Sequence, residues 1–286
     1  MLKFRQVGWN GIRLTVPSAW ETHIGGHNHL IFEADFSPLL EIRWKKSAKG
    51  KNPKSRSIEK QIKRTTTTLR EVNLPSEWSF LEEKYYTTCF GKSELAFSTG
   101  ICVCRECQSL LIFQLSHKEK NSAPLLRKCL QSLSCHHSTD EPEFWSLQDF
   151  QLTLPPAYSL IDYSFTPGLT RISFRTRRTV LHIGKLGPAD ARLKGQTLEE
   201  ILRSLAGTPD LKVQFGENKK SCAGYQAPTI GKQIALRFKR DKPFVRAEIH
   251  HDSTNNRLLA IVLESLRPIP PEICQSIWNN YEIIQA

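Results

Sequence analysis

The sequence lacks any long hydrophobic run. Its longest strongly apolar stretch, from Leu258 to Leu263, is six residues long, whereas a helix that spans a bilayer needs about 20. The first six residues also lack the apolar segment and small-residue cleavage site that mark a signal peptide. These two features predict a soluble, cytoplasmic protein that has no contact with a membrane.

The chain also lacks the short motifs that carry common catalytic chemistry. It contains no Gly-x-Ser-x-Gly, no Gly-rich phosphate-binding loop, no Gly-x-Gly-x-x-Gly and no His-Glu-x-x-His. Its acidic residues are scattered and form no evident carboxylate pair. We therefore expect a protein without enzymatic activity, and we do not expect a small-molecule substrate.

Acidic residues are scarce relative to basic ones: 28 Asp and Glu stand against 40 Lys and Arg, so the net charge is +12. Ten basic residues and one acid lie between Arg43 and Arg64. Such an excess is typical of proteins that bind polyanions such as nucleic acid, and also of soluble basic surfaces without a ligand. The residues predicted to bind a polyanion are Lys45, Lys46, Lys49, Lys51, Lys54, Arg56, Arg237 and Arg240.

The sequence contains a near-repeat of nine residues. The stretch from Leu125 to Leu133 recurs with the same leucine spacing from Leu258 to Leu266, 133 positions later. Both stretches have apolar residues at helical spacing, which predicts that each forms a helix at the end of one duplicated unit. We therefore expect a first repeat over residues 1–140 and a second over residues 141–286.

The two predicted repeats share further signals. In each, an alternating strand ends at a proline that is followed three residues later by an aromatic residue, Trp20 in the first repeat and Tyr158 in the second. The second repeat then has Thr197 and Glu200 at the spacing of a capping box, which predicts a helix N-terminus there.

These patterns resemble the Mog1/PsbP-like fold. The resemblance lies in the Pro-x-x-aromatic strand end, the Thr-Leu-Glu-Glu helix start, a glycine near a late strand and the Leu-Leu-x-x-x-Leu-x-Ser-Leu segment, and it covers both repeats. It implies an α+β class in which each unit is an antiparallel sheet with two packed helices. It also implies a non-enzymatic binding or assembly module.

Eight cysteines in a chain without a predicted secretion signal argue against a disulfide framework. Cys89, Cys129 and Cys222 stand at apolar positions of the predicted elements, which indicates ordinary core thiols. The remaining clustered cysteines are candidate ligands of a structural zinc ion, because thiolates closely spaced on a turn place several sulfurs around one cation. This set is Cys102, Cys104, Cys107 and Cys135, with His136 and His137 as alternative ligands.

The zinc hypothesis has a geometric difficulty and two alternatives. Strand alternation predicts that Ile101 and Val103 face the core, so that Cys102 and Cys104 point away from the helix that carries Cys135. The site then requires the hairpin tip to curl or the helix to end at that sheet edge. Free thiols, or a redox or iron–sulfur role, are the alternative interpretations of the same spacing.

Three histidines within seven residues, His23, His27 and His29, are a further candidate metal or catalytic site. The leading hypothesis is nevertheless a cytoplasmic, non-catalytic binding or scaffold protein, in which zinc holds a hairpin of the first repeat and the partner is a protein or complex. The alternative is a basic nucleic-acid-binding subunit of a ribonucleoprotein or defence complex.

Overall fold

A computed structural model describes residues 2–46, 70–92, 97–116, 123–135, 141–228 and 242–284. Of these residues, 52% lie in strands and 17% in helices. The contacts divide the chain into unit 1, residues 1–153 and 284–286, and unit 2, residues 154–283. The boundary predicted after residue 140 separates two stretches of similar sequence, whereas the two units are defined by contacts. The predicted boundary therefore stays a prediction.

Unit 1 begins with a hairpin whose turn is Asn10-Gly11. Both residues have positive φ, 45° and 84°, which is the backbone of the two-residue turn that Asn-Gly favours. Strands and helices follow in this order: β1 Phe4–Trp9, β2 Ile12–Pro17, β3 Glu21–Gly26, β4 His29–Ala34, β5 Ser37–Lys45, β6 Arg70–Val72, a 3₁₀ turn Ser76–Trp78, α1 Phe80–Lys84, β7 Tyr85–Gly91, β8 Phe97–Cys104, β9 Leu110–Leu115, α2 Ala123–Gln131, β10 Glu143–Leu147 and β11 Phe150–Leu154.

The strands of unit 1 form two antiparallel sheets. The larger has the order β3-β4-β5-β9-β8-β7-β6, and in the smaller β11, β10, β1 and β2 are neighbours in that order. On one face of the larger sheet Ile42 lies opposite Phe113 and Trp44 opposite Leu111, and all four side chains are buried. Helix α2 packs on β2 and contributes Leu126, a fully buried side chain.

Unit 2 contains one seven-stranded antiparallel sheet with the order β12-β13-β14-β18-β17-β16-β15. An apolar cluster on one face, which includes Ala247, Ile249 and Val262, packs against Ile201 and Leu202 of a helix. The elements are β12 Ser159–Thr166, β13 Leu169–Arg175, β14 Thr179–Leu186, α3 Ala189–Leu193, α4 Leu198–Ala206, β15 Lys212–Phe215, β16 Ser221–Gln226, β17 Phe244–Asp252, β18 Arg257–Ser265, α5 Pro271–Trp278 and β19 Tyr281–Ile283.

The capping box predicted for α4 is confirmed. The Thr197 side chain accepts a hydrogen bond from the Glu200 amide, and the Glu200 carboxylate accepts one from the Thr197 amide. These bonds satisfy two amides that a helix start otherwise leaves without partners. At the other end, Gly207 adopts the left-handed conformation with φ 61° and ends the helix.

Substitution Thr197→Ala is expected to lower the free energy of unfolding of unit 2 by about 1 kcal/mol, because the amide of Glu200 loses its acceptor. Thr197→Ser keeps the hydroxyl and serves as the matched control, with a smaller loss. Urea unfolding monitored by circular dichroism measures both variants, and an equal loss in the two would contradict the capping role.

The predicted α+β class is wrong. The described residues form three antiparallel sheets and five short α-helices, so the protein is mainly β. The error arose at Leu258–Leu266, which was predicted to be a helix but forms strand β18 between β14 and β17. Its first six apolar residues are all buried, as expected of a central strand covered on both faces rather than of an amphipathic helix.

Other local predictions had mixed outcomes. The stretch from Leu125 to Leu133 does contain a helix, α2, and the alternating strands predicted before Trp20 and Tyr158 are confirmed as β2 and β11. The two seven-stranded sheets follow the same strand order, but the 133-residue alignment pairs a helix with a strand, so internal duplication stays a prediction. Among the described residues, no helix is long and apolar enough to cross a membrane.

Candidate metal centre

The turn between β8 and β9 carries two of the candidate ligands. Cys104 ends β8 and Cys107 lies in the following turn. Two backbone hydrogen bonds close this turn. The Cys104 amide donates to the Ser109 carbonyl at 3.0 Å, and the Gln108 amide donates to the Cys104 carbonyl at 3.1 Å. Gln108, directly after Cys107, has a positive φ of 57°, a backbone conformation that is typical of tight turns.

Cys135 reaches the same place from helix α2. Just before it, the amide and the carbonyl of Ser134 bond with the carbonyl and the amide of Arg13, at 2.8 and 2.9 Å. The buried hydroxyl of Tyr85 donates to the Leu133 carbonyl at 3.2 Å. These contacts attach the segment after α2 to strands β2 and β7, and they hold Cys135 next to the end of β8.

The three sulfurs form a compact group. The Sγ atoms of Cys104, Cys107 and Cys135 all lie within 4.8 Å of one another, and those of Cys107 and Cys135 are 3.7 Å apart. Two sulfurs at 2.3 Å from a tetrahedral zinc ion are about 3.8 Å apart. The group therefore has dimensions that suit a bound metal ion without a large movement of the chain.

Burial differs among the three thiols. Cys104 is fully buried and Cys135 is 6% exposed, whereas Cys107 is partly exposed. Burial removes the two inner sulfurs from competing water, and the outer position of Cys107 leaves one side of the group open for a fourth donor. A cation at this place would be held mainly by protein sulfur.

Without a cation, the electrostatics of the group favour a thiolate at Cys107 and a neutral thiol at Cys104 and Cys135. The hydrogen bond with Cys135 lowers the pKa of Cys107, and bonds from Ser109 act in the same direction. The same hydrogen bond and burial raise the pKa of Cys135, and burial raises the pKa of Cys104. Crowded thiols that cannot all ionise alone are stabilised together by a divalent cation, which is the usual state of thiolate metal ligands.

Cys102, the fourth predicted sulfur ligand, lies outside the group. It is two residues before Cys104 on the same strand, which separates the two Cα atoms by about 7 Å. Its Sγ contacts the Thr87 hydroxyl at 3.6 Å, and burial raises the pKa of its thiol to about 12. The alternative ligands His136 and His137 lie outside the described residues.

The predicted alternation along β8 is correct, but the prediction that Cys102 and Cys104 point away from the segment that carries Cys135 is wrong. Ile101 and Val103 do belong to an apolar cluster, with Phe90, Leu110 and Ile112, but Cys102 and Cys104 are buried on the opposite face. That opposite face meets the segment after α2, as the bond from Tyr85 to Leu133 shows. Strand alternation separates the two faces, but it does not tell which one the helix covers when both are buried.

Two residues of the site were missed from the sequence. Tyr85 lies opposite Cys104 in the sheet, and buried Ser109 hydrogen-bonds to Cys107. The position of Tyr85 depends on strand pairing and has no local signal. Ser109 follows Cys107 by two residues. At this spacing a hydroxyl on a tight turn commonly hydrogen-bonds to a group earlier in the turn.

The histidine stretch does not form a ligand group. His23 lies between Glu21 and Glu33, at 3.5 and 3.3 Å from their carboxylates, whereas His29 pairs with Glu41 at 2.7 Å. These contacts join histidine rings to nearby glutamate carboxylates rather than to one another. Within the described part of the chain, the three cysteines are the one cluster of three or more potential metal ligands.

The predicted polyanion-binding residues are described only in part. Lys46 pairs with Glu143 at 3.1 Å, which offsets one positive charge, and Lys45 ends strand β5. The remaining six, Lys49, Lys51, Lys54, Arg56, Arg237 and Arg240, lie outside the described residues. Binding of nucleic acid therefore stays a prediction.

Comparison with known proteins adds no family to these observations. No protein-family model matches the chain, and no curated protein matches it. The resemblance to the Mog1/PsbP-like fold stays a prediction from sequence pattern. The cysteine group of unit 1, which can hold a metal ion, is the feature from which a function is best argued.

Proposed function

We propose that this chain is a cytoplasmic, non-catalytic protein-binding scaffold whose first unit contains a structural zinc ion held by Cys104, Cys107 and Cys135. The observation that carries the proposal is the convergence of three sulfurs within 4.8 Å from two segments 28 residues apart. A thiolate disfavours ionisation of a second thiol beside it, and a shared divalent cation removes that cost.

Zinc suits the donors better than other common ions. Thiolates are soft ligands that select zinc, copper(I) or iron–sulfur clusters, whereas magnesium and calcium require oxygen. Iron–sulfur clusters are usually held by four cysteines, and the group has three. A structural zinc ion here requires a fourth protein ligand, and His136 and His137, which directly follow Cys135 in the sequence, are the candidates.

The position of the group supports a structural rather than a catalytic metal. A catalytic zinc ion needs an open position that faces a substrate cavity. A cavity of about 320 Å³ in unit 1 is lined by Asn28, Arg43, Trp44, Lys45, Leu110 and Ile112 and by none of the cysteines. Bound at the sulfurs, zinc would instead tie the β8–β9 turn to the end of α2, which closes a long loop in the folded state.

The partner in this proposal is a protein. Phe36, at the tip of the β4–β5 hairpin, is 99% exposed, and Tyr86 beside the cysteine turn is 58% exposed, with the guanidinium of Arg105 4.3 Å above its ring. Exposed aromatic side chains paired with arginine are typical of protein-binding surfaces. Eight cysteines without a disulfide bond among them suit a reducing compartment such as the cytoplasm.

Metal analysis tests the zinc site. Protein purified without chelator is expected to contain about one equivalent of zinc, and Cys104→Ser, Cys107→Ser and Cys135→Ser variants are expected to lose most of it. Cys102→Ser is the matched control, because Cys102 lies on the same strand but outside the group, and it should retain the zinc. Less than about half an equivalent in the unmodified protein would contradict the proposal.

A further inference from the structure

We propose that Cys107 and Cys135 are a peroxide-sensitive pair that joins into a disulfide and thereby releases the metal. This inference rests on the proposed function, because it assigns a regulation to the same site. Its basis is geometric: the two Sγ atoms are 3.7 Å apart, and the two residues lie on separate segments, the β8–β9 turn and the extension after α2. A disulfide bond brings two sulfurs to about 2.05 Å, so an approach of less than 2 Å is required.

Access selects Cys107 as the sulfur that reacts first. It is partly exposed, whereas Cys104 is fully buried and Cys135 is nearly so. A small oxidant such as hydrogen peroxide therefore reaches the Cys107 sulfur from solvent. The neighbouring sulfur of Cys135 is already in contact with it and is placed to act as the resolving thiol.

The chemistry proceeds in two steps. The Cys107 thiolate attacks one peroxide oxygen, so that an S–O bond forms, the O–O bond breaks and hydroxide leaves, giving a sulfenic acid. The Cys135 sulfur then attacks the Cys107 sulfur, the S–S bond forms, the S–O bond breaks and the second oxygen leaves as water after taking up a proton. Two thiols thus lose two electrons, and the peroxide is reduced to two water molecules.

Disulfide formation removes two of the three sulfur ligands. Cys104 alone cannot hold zinc at the affinity of a three-sulfur site, because a structural site depends on several thiolates bound together. The covalent bond would link the same two segments that the metal links, so the hairpin stays attached to the end of α2. A thiol reductant regenerates both ligands and permits the metal to bind again.

The other buried thiols are unsuitable for this role. Cys102 has the Thr87 hydroxyl as its neighbour at 3.6 Å. Cys129 is fully buried on helix α2, and burial raises the pKa of its thiol. Cys104 is the least exposed of the three thiols, which disfavours its reaction with an oxidant from solvent. Because it belongs to the same group, a disulfide bond between Cys104 and Cys107 is the competing product.

The experiment treats the zinc-loaded full chain with a few equivalents of hydrogen peroxide under anaerobic handling. We expect release of about one equivalent of zinc to a chromophoric chelator, together with one intramolecular disulfide that removes two hydrogen atoms from the intact mass. Peptide mapping without reductant should link the peptides that contain Cys107 and Cys135, and dithiothreitol should reverse both changes. Cys102→Ser is the control and should behave as the unmodified protein.

The variant Cys135→Ser provides a second readout that needs no bound metal. Without its resolving thiol, Cys107 should accumulate as a sulfenic acid that reacts with dimedone. A zinc-loaded protein that forms no disulfide, or one that links Cys104 to Cys107 instead, would overturn the redox inference and leave the structural zinc site intact. Protein that contains no zinc but still links Cys107 to Cys135 would overturn the proposed function and support the pairing.

Discussion

Zinc is expected to stabilise unit 1 by about 4 kcal/mol when free zinc exceeds its dissociation constant a thousandfold, because an ion that binds only the folded state adds RT ln(1 + [L]/Kd) to the free energy of unfolding. The ligands lie on strand β8, the β8–β9 turn and the segment after α2. In the unfolded chain Cys135 is 28 residues away from Cys107, so the complete three-sulfur site is not reproduced. The gain should therefore appear in the unfolding of this unit.

Tryptophan fluorescence during urea unfolding measures this effect selectively. Five of the six tryptophans, at positions 9, 20, 44, 78 and 145, belong to unit 1, and only Trp278 belongs to unit 2. Unfolding curves at a series of buffered zinc concentrations should shift in the unmodified protein and in Cys102→Ser. The same zinc dependence in Cys107→Ser would show that the stabilising ion binds elsewhere.

Trp9→Ala is expected to lower the free energy of unfolding by about 3–5 kcal/mol, because a large buried ring is removed and its cavity is only partly filled. Trp9 is 0% exposed and meets Trp145 edge to face, with ring centroids 5.5 Å apart. Its indole N–H also donates to the Gly26 carbonyl at 3.4 Å. The substitution therefore removes apolar contact, an aromatic pair and a hydrogen bond together.

The matched control for Trp9→Ala is Phe36→Ala. Phe36 is also a large aromatic residue of unit 1, but it is 99% exposed, so its removal should change the free energy of unfolding by no more than about 0.5 kcal/mol. Phe36 has a positive φ of 57°, and alanine has a Cβ atom as phenylalanine does, so the substitution leaves the backbone strain unchanged. The difference between the two variants therefore reports the effect of burying the aromatic ring. A loss below about 1 kcal/mol for Trp9→Ala would contradict the tight packing of the two tryptophans.

Local signals predicted the local structure well. The capping box at Thr197 and Glu200 was predicted correctly because both partners lie within one helical turn. The strands β2 and β11 followed from alternation of apolar and polar residues before the prolines, which requires only that one face be buried. In each case the residues that interact are close in sequence, or the pattern repeats along a single element.

The same kind of pattern failed where an element is buried on both sides. Leu125–Leu133 and Leu258–Leu266 share their leucine spacing, yet the first contains α2 and the second forms β18. Exposed positions such as Gln131 interrupt the first, whereas Leu258 to Leu263 is a continuous buried run between two neighbouring strands. Apolar periodicity does not separate a buried helix from a central strand, because a fully surrounded element has no polar face to reveal its period.

The sequence by itself determined which residue types were available for the metal group: closely spaced cysteines on one hairpin and one more cysteine after a helix. Only the tertiary structure decided which of them meet. Cys135, 28 residues from Cys107, joins the group because pairing with β2 and β7 brings the end of α2 to the β8–β9 turn. Cys102, two residues from Cys104, does not, because the extended chain carries it along the strand and away from the turn.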